Sequence, residues 1–285
     1  MIGFDTHVER MVAGESTGWL RNSYRLPGHI MTSDSRSRGW KERSGARYWW
    51  HQLPGTDYVP PVYSDLSEDE WEILSDWYTE TDQNGPIGEC AVPLISLLQG
   101  LVMGSRVSRI AQLGTCAGYS ALLLGWMLRR MKAERGLFSL DIDLGSCTMS
   151  RRWIDRAGLQ NFVAIDQRNS LDPQSPRAAR DYLGGDPELV IIDSSHEYAA
   201  TLEELEIWYD ALAQGGLVVL HDVSQFAAGF DVTNQGGVRR AFTEWRKRHP
   251  AIESFSLNGE TKSMGLPRPL YKDACGLGLI HKAIE

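Results

Sequence analysis

From residue 107 to residue 282 the chain alternates short apolar runs with longer segments of helical spacing. "SRIAQLG" reads as a short strand. "YSALLLGWMLRRMK" reads as a helix that starts apolar on nearly every side, with Arg129, Arg130 and Lys132 suited to its C-terminal end by the helix dipole. "GLFSLDID" is a second strand, "CTMSRRWIDRAG" a helix and "NFVAID" a third strand. "PELVIID" is continuous and apolar, like a strand buried on both faces. "AATLEELEIWYDALAQ" is amphipathic, with Leu202, Leu205, Tyr209 and Leu212 on one stripe. "GGLVVLHD" is a fifth strand, "GGVRRAFTEWRKRH" a helix, and "IESFSL" with "GLGLIHK" a late hairpin. Strands alternating with helices predict βαβ units and right-handed crossovers. The expected fold class is α/β: a three-layer, Rossmann-like sheet, mostly parallel, with a late antiparallel hairpin and an N-terminal extension.

Upstream the pattern breaks. Residues 1–65 carry Trp19, Trp40, Trp49 and Trp50, several glycines and prolines, and the polar run "TSDSRSRGWKERSGAR". They read as an arm whose aromatics pack on the main domain, with a lid or an oligomer contact as the sharper reading. Residues 66–285 form the main domain. It opens with Ser67 and Glu70, the spacing of a capping box, and continues into "AVPLISLLQGLV" as a buried helix.

Length and composition narrow the class. The 285 residues suit one large domain with an appendage. With 42% hydrophobic and 23% charged residues the composition is that of a globular protein. The net charge of −8 and pI near 5.4, without a basic stripe, argue against a nucleic-acid partner. Asp5, Glu9, Arg10 and Glu15 interrupt the first twenty residues, so no signal peptide is expected. "AVPLISLLQGLVM" is too short to span a bilayer, so no membrane partner is expected either. Cys90, Cys116, Cys147 and Cys275 lack C-x-x-C spacing and read as free thiols of a reducing cytoplasm.

In a parallel sheet ligands bind outside the carboxyl ends of the strands, near the switch point. After the first strand comes Gly114-Thr115-Cys116-Ala117-Gly118, where two glycines allow a tight turn and a close approach to a ligand. The spacing is G-x-x-x-G, so the pyrophosphate fingerprint is absent. After the second strand, Asp141 can accept hydrogen bonds from both hydroxyls of a ribose, with Asp143 as the spare candidate. After the third, Asn169 and Ser170 can meet an adenine edge. After the fourth and fifth stand Asp193 and His196, then His221 and Asp222. Adjacent strands lie about 4.8 Å apart, and two carboxylates that close need a proton or a cation between them. A hard ion such as Mg²⁺ suits oxygen ligands. His196 is the residue type that takes a proton near neutral pH.

On "QLGTCAGYS", "SLDID", "IIDSSHEYAATLEELEIWYDALAQGGLVVLHDV" and "CGLGLIHK" the chain resembles the class I S-adenosylmethionine-dependent methyltransferases, from about Ile110 to Lys282. The long third segment is similar to the branch of cephalosporin hydroxylase-like proteins and macrolide sugar O-methyltransferases, enzymes of natural-product biosynthesis. The resemblance implies that the glycine turn holds the methionine end of S-adenosylmethionine. Gly114, Thr115 and Gly118 then approach that end, Ser120 touches its carboxylate, Asp141 takes the ribose, Asn169 and Ser170 lie by the adenine, and Asp193 stands beside the cofactor. It implies a divalent cation, Mg²⁺ or similar, on Asp193 and Asp222. His221 stands where the sugar methyltransferases have an acid, which leaves three alternatives: the two carboxylates and waters suffice with His221 as a candidate third ligand, the ion is a different one, or it is lost; His196 matches the position of the general base. The expected reaction is methyl transfer to a hydroxyl of a small-molecule acceptor, by a cytoplasmic enzyme, with a homo-oligomer as a further expectation. Two rivals stay open: a nicotinamide-dependent oxidoreductase on a similar sheet, and a non-catalytic binding module that keeps the fold.

Overall fold

A computed structural model describes residues 59–84, 88–258 and 271–284; residues 1–58 of the arm, which carry Trp19, Trp40, Trp49 and Trp50 and the expectation of a lid or oligomer contact, lie outside them. By its internal contacts the chain divides between Gln83 and Asn84, and the two parts are taken separately.

In the first part, α1 spans Pro61–Ser64 and α2 spans Glu68–Asn84. The capping box forms as the spacing predicts. The Ser67 amide donates to Glu70 Oε2 at 2.9 Å, and the Glu70 amide donates to Ser67 Oγ at 3.3 Å. Trp71, Leu74, Trp77 and Tyr78 of α2 are buried.

In the second part, α3 (Val92–Ser105) ends where Arg106 turns left-handed. Strand β1 (Ile110–Leu113) starts later than the apolar run suggests. The amides of Ser108 and Arg109 are already taken by Glu188 Oε2, at 2.8 and 3.1 Å, so they do not enter the ladder. Then follow α4 (Tyr119–Met131), β2 (Leu137–Asp141), α5 (Leu144–Arg156) and β3 (Val163–Gln167). Helix α6 (Ser175–Leu183) was not expected from the periodicity. Its signal was local: Pro176 at its start, where a missing N–H costs nothing, and Gly184 in the left-handed cap. The chain continues through β4 (Leu189–Ile192), α7 (Tyr198–Ala211), β5 (Leu217–His221), a 3-10 turn (Ala227–Phe230), α8 (Gly237–Arg248), β6 (Ser254–Leu257) and β7 (Leu277–His281).

Among the described residues the strands form one seven-stranded sheet in the order β3-β2-β1-β4-β5-β7-β6. β1 pairs in parallel with β2 and β4, and β4 in parallel with β5. β7 runs antiparallel to β5 and β6, the expected late hairpin. The strand order reverses between β1 and β4, so the switch point opens there. The core holds Leu113, Leu140, Ile192, Leu220, Trp208 and Trp245, all buried. The four cysteines are free, and no helix of the described residues is long and apolar enough to cross a membrane.

Asp143 sits two residues past the end of β2 and caps α5, its Oδ2 accepting from the Ser146 amide at 2.6 Å. That bond holds its carboxyl below the usual range. The spare ligand candidate is thus engaged in starting a helix. Asp143→Ala should lower stability by about 1 kcal/mol, the usual loss for an N-cap, in urea unfolding followed by circular dichroism.

Candidate functional site

The turn after β1 is fixed by its neighbours. Gly114 has φ +90, and a Cβ placed there would lie 1.9 Å from the Asp193 carbonyl oxygen. Only glycine lets the turn close against the end of β4. Gly118, φ +87, caps α4, and a Cβ there would meet Ser150 Oγ at 2.9 Å. The amides of Thr115 and Cys116 both donate to Asp141 Oδ2, at 3.0 and 2.9 Å, and the Asp143 amide donates to Asp141 Oδ1 at 2.9 Å. Asp141 therefore holds the turn in place first. Of its roughly four lone-pair directions, one on Oδ1 is left for a ligand hydroxyl. Ser120 Oγ lies 2.7 Å from Gln112 Nε2, which also donates to the Gly114 carbonyl at 2.8 Å.

The loop after β3 is tied to α7 by a residue that the apolar stripe did not reveal. Glu204 is 1% exposed, and it accepts from the hydroxyls of Ser170 and Ser194. Burial pushes its carboxyl up, against the two serine hydrogen bonds. Trp208 Nε1 donates to the Ser170 carbonyl at 3.0 Å. The Asn169 carboxamide oxygen accepts from the Leu171 amide at 3.0 Å. Ser170 and Asn169 thus shape this loop through their own hydrogen bonds. The buried face of α7 runs through Thr201, Glu204, Leu205 and Trp208, leaving Leu202 and Tyr209 only half-buried. The signal was a single acid among Leu205, Trp208 and uncharged Thr201 on one helical face, which only a partner on another element can make tolerable.

At the ends of β4 and β5 the predicted acids and histidines converge. His196 Nε2 is 3.1 Å from Asp222 Oδ2 and 3.8 Å from Asp193 Oδ1. His221 Nδ1 is 3.4 Å from Asp193 Oδ1 and 3.5 Å from Asp222 Oδ2. Ligand atoms of Asp193, His196 and Asp222 lie within 4.8 Å of one another, a group able to hold a metal ion. Asp222 and His221 are buried, while Asp193 and His196 are partly open. Burial alone would raise the Asp193 carboxyl, but the His221 charge and hydrogen bonds from both histidines hold it well below the usual range. Burial would likewise lower His196. Hydrogen bonds to Asp193 and Asp222, and their charges, instead push it up to about 10. His221 is pushed up too, by the charges of Asp222 and Asp193 against its burial.

The backbone here is strained. Cys116, His196 and Asp222 have φ of 46, 60 and 62, a region non-glycine residues seldom enter. Each follows a different strand, and each such residue costs on the order of 1–3 kcal/mol. Strain gathered at one mouth is typical of a site whose groups are held in advance.

Residues 111–223 match the family model of a methyltransferase domain. No curated protein matches the sequence. Among solved structures, an O-methyltransferase from Bacillus cereus in complex with SAH superposes with a TM-score of 0.59 at 16% identity, covering 85% of this chain and 99% of that one. TomG from Streptomyces achromogenes, an O-methyltransferase involved in tomaymycin synthesis and solved with SAM, superposes at 0.58 with 16% identity, over 85% of this chain and 98% of its own. Cofactor-bound Rv0187 from MTB superposes at 0.59 with 18% identity, over 75% of this chain and 91% of that one. These likenesses show the fold.

Two outcomes test the site's geometry. Gly114→Ala should lower stability by several kcal/mol, on the order of the strain and overpacking costs combined, in denaturant unfolding. His196 is raised from 6.5 to about 10 in the fold, so its protonated form is the favoured one. The stability it contributes should be full below about pH 6.5 and lost as pH rises through about 10. Melting temperatures measured in chelator from pH 6 to 10.5 should fall across that window in the wild type, and fall less in His196→Gln.

Proposed function

We propose that this chain is a class I methyltransferase that moves a methyl group from S-adenosylmethionine to a hydroxyl of a small-molecule acceptor. One observation carries the reading. The glycine turn and the acid–histidine mouth are one place, since Gly114 packs directly on the Asp193 carbonyl. A donor lying on the turn is therefore presented to the groups that would receive an acceptor. The B. cereus protein and TomG, with SAH and SAM in their structures, support the choice of donor. Asp141 offers its remaining lone pair to the ribose, and Gly114, Thr115 and Gly118 leave the backbone open to the methionine end. Ser120 at the start of α4 would meet the carboxylate of the donor, and Asn169 and Ser170 in the loop after β3 its adenine.

The protein's work in such a transfer is alignment and proton removal. The acceptor O–H gives its proton to His196 Nε2. The oxygen then bonds to the methyl carbon in line as the carbon–sulfur bond breaks, leaving a methyl ether and S-adenosylhomocysteine. His196 can accept that proton only when the negative charge of Asp193 and Asp222 is taken up elsewhere, because their hydrogen bonds and charges otherwise keep it protonated. The donor set fits a divalent cation: two carboxylate oxygens on neighbouring strand ends, with imidazole nitrogens facing both. When bound, such an ion lowers the pKa of a coordinated acceptor hydroxyl. Asp193, Asp222 and His221 would hold it.

Calorimetry should show binding of S-adenosylmethionine or S-adenosylhomocysteine, weakened by about 1–3 kcal/mol in Asp141→Ala through the lost ribose hydrogen bond to a charged group. Tight binding of NAD with neither of these compounds would refute the donor. For transfer itself, a panel of phenolic and sugar hydroxyl acceptors should yield a methylated product by mass spectrometry. Excess chelator should stop that transfer while leaving the cofactor bound. His196→Ala should slow it by roughly 10²–10⁴-fold, the usual loss for a general base. Undiminished transfer in chelator would remove the metal, and undiminished transfer by His196→Ala would remove the base.

A further inference from the structure

Two histidines face the same pair of carboxylates, and the structure treats them differently. His196 is partly open and packs its ring at 5.8 Å from that of Phe230. His221 is buried and engaged from both sides. Its Nδ1 faces Asp193 and Asp222, and its Nε2 lies 3.1 Å from Asp273 Oδ2. Asp273 is 4% exposed and stands just before β7, the antiparallel neighbour of β5. Its other partners are all donors. The Tyr271 hydroxyl donates to Oδ2 at 3.1 Å, and the Cys275 amide donates to Oδ1 at 2.9 Å. A buried carboxyl receiving these bonds is an acceptor, so the His221 Nε2 that meets it carries the hydrogen.

That hydrogen fixes the ring. With Nε2–H held by Asp273, the Nδ1 lone pair of a neutral imidazole points at Asp193 and Asp222, where positive charge is needed. We infer that Asp273 is a positioning residue: it holds His221 as the nitrogen ligand of the cation, leaves His196 as the proton acceptor, and biases the site toward Mn²⁺ or Co²⁺ over Mg²⁺. The inference rests on the metal reading above. A carboxylate behind a ligating histidine fixes its tautomer and raises its basicity. Imidazole suits first-row transition ions, Co²⁺ and Fe²⁺ more than Mn²⁺, better than it suits Mg²⁺, which keeps to oxygen ligands. The bias comes from this chain's own departure, a histidine at residue 221, and from the buried acid that keeps it turned the right way.

The test is cation binding by the full chain, read without turnover. Calorimetric titration of the chelator-treated protein should show one equivalent of Mn²⁺, bound at least about ten-fold more tightly than Mg²⁺, as expected of a site with a nitrogen ligand. Asp273→Ala should weaken Mn²⁺ by about 10–100-fold, the range for lost partners of a metal ligand, and Mg²⁺ much less. Asp273→Asn, whose carbonyl oxygen can still accept from Nε2–H, should recover most of the loss. The visible spectrum of bound Co²⁺ should change in Asp273→Ala and return in Asp273→Asn. A wild type that takes up no cation would overturn the metal reading and this inference together. Wild-type binding with Mn²⁺ affinity and Co²⁺ spectrum unchanged in Asp273→Ala would overturn the inference alone. So would a second equivalent of Mn²⁺ at the neighbouring group of His221, Asp273 and Cys275. Should Asp273→Ala fail to fold, the His221 tautomer can be read by ¹⁵N NMR in the Zn²⁺-loaded wild type. Nε2–H is expected, and Nδ1–H would refute the inference.

Discussion

The site depends on one constraint, the parallel pairing of β4 with β5. Their register sets Ile192 beside Leu220, so Asp193 and the His221–Asp222 pair leave the sheet side by side. Both strands are apolar and buried, and Asp222 at the exit of β5 is buried with them, which leaves its charge little water for screening. Like charges brought together in this way must be compensated locally. Two histidines supply the compensation, His196 from the loop after β4 and His221 from β5, and Asp273 from the approach to β7 holds the His221 ring in place. Moving either strand by one residue would turn the acids to opposite faces and dissolve the site.

The same pairing explains why the strain is tolerated. Cys116, His196 and Asp222 hold left-handed backbone at the exits of β1, β4 and β5. A loop alone would relax out of such conformations. Here the turn after β1 is held by Asp141, which takes two of its amides. The loop after β4 is held by Ser194 on buried Glu204, which also takes Ser170 from the loop after β3. One carboxylate per loop pair thus ties the strand exits together, Asp141 across β1 and β2, Glu204 across β3 and β4. A donor bound over these exits meets a mouth that is already arranged.

Much of this was legible along the chain. Short apolar runs revealed the strands and the late hairpin, and the 3.6-residue period most of the helices, because burial imposes those patterns whatever the partner. The strand-end residues Asp141, Asp193, His196, His221 and Asp222 stood out because polar groups at the end of apolar runs are rarely without a task. Asp141 and Asp143 looked alike in sequence. The difference between them, a clamp on the glycine turn against a helix cap, lies in which amides each can reach. α6 escaped because nine residues give too few turns for a period to show.

The sequence by itself determined the α/β order, the glycine turn and the set of acids and histidines, since these follow from local pattern and from residue chemistry. Only the tertiary structure decided how they are used. Glu204 is separated from Ser170 by 34 residues, and Asp273 from His221 by 52. No local period links such positions, because the contact arises from strand order and not from spacing. Which histidine is held from both sides was therefore settled by the strand that folds back beside β5. That strand brings a buried carboxylate to one ring, while the other ring stays in the partly open loop after β4.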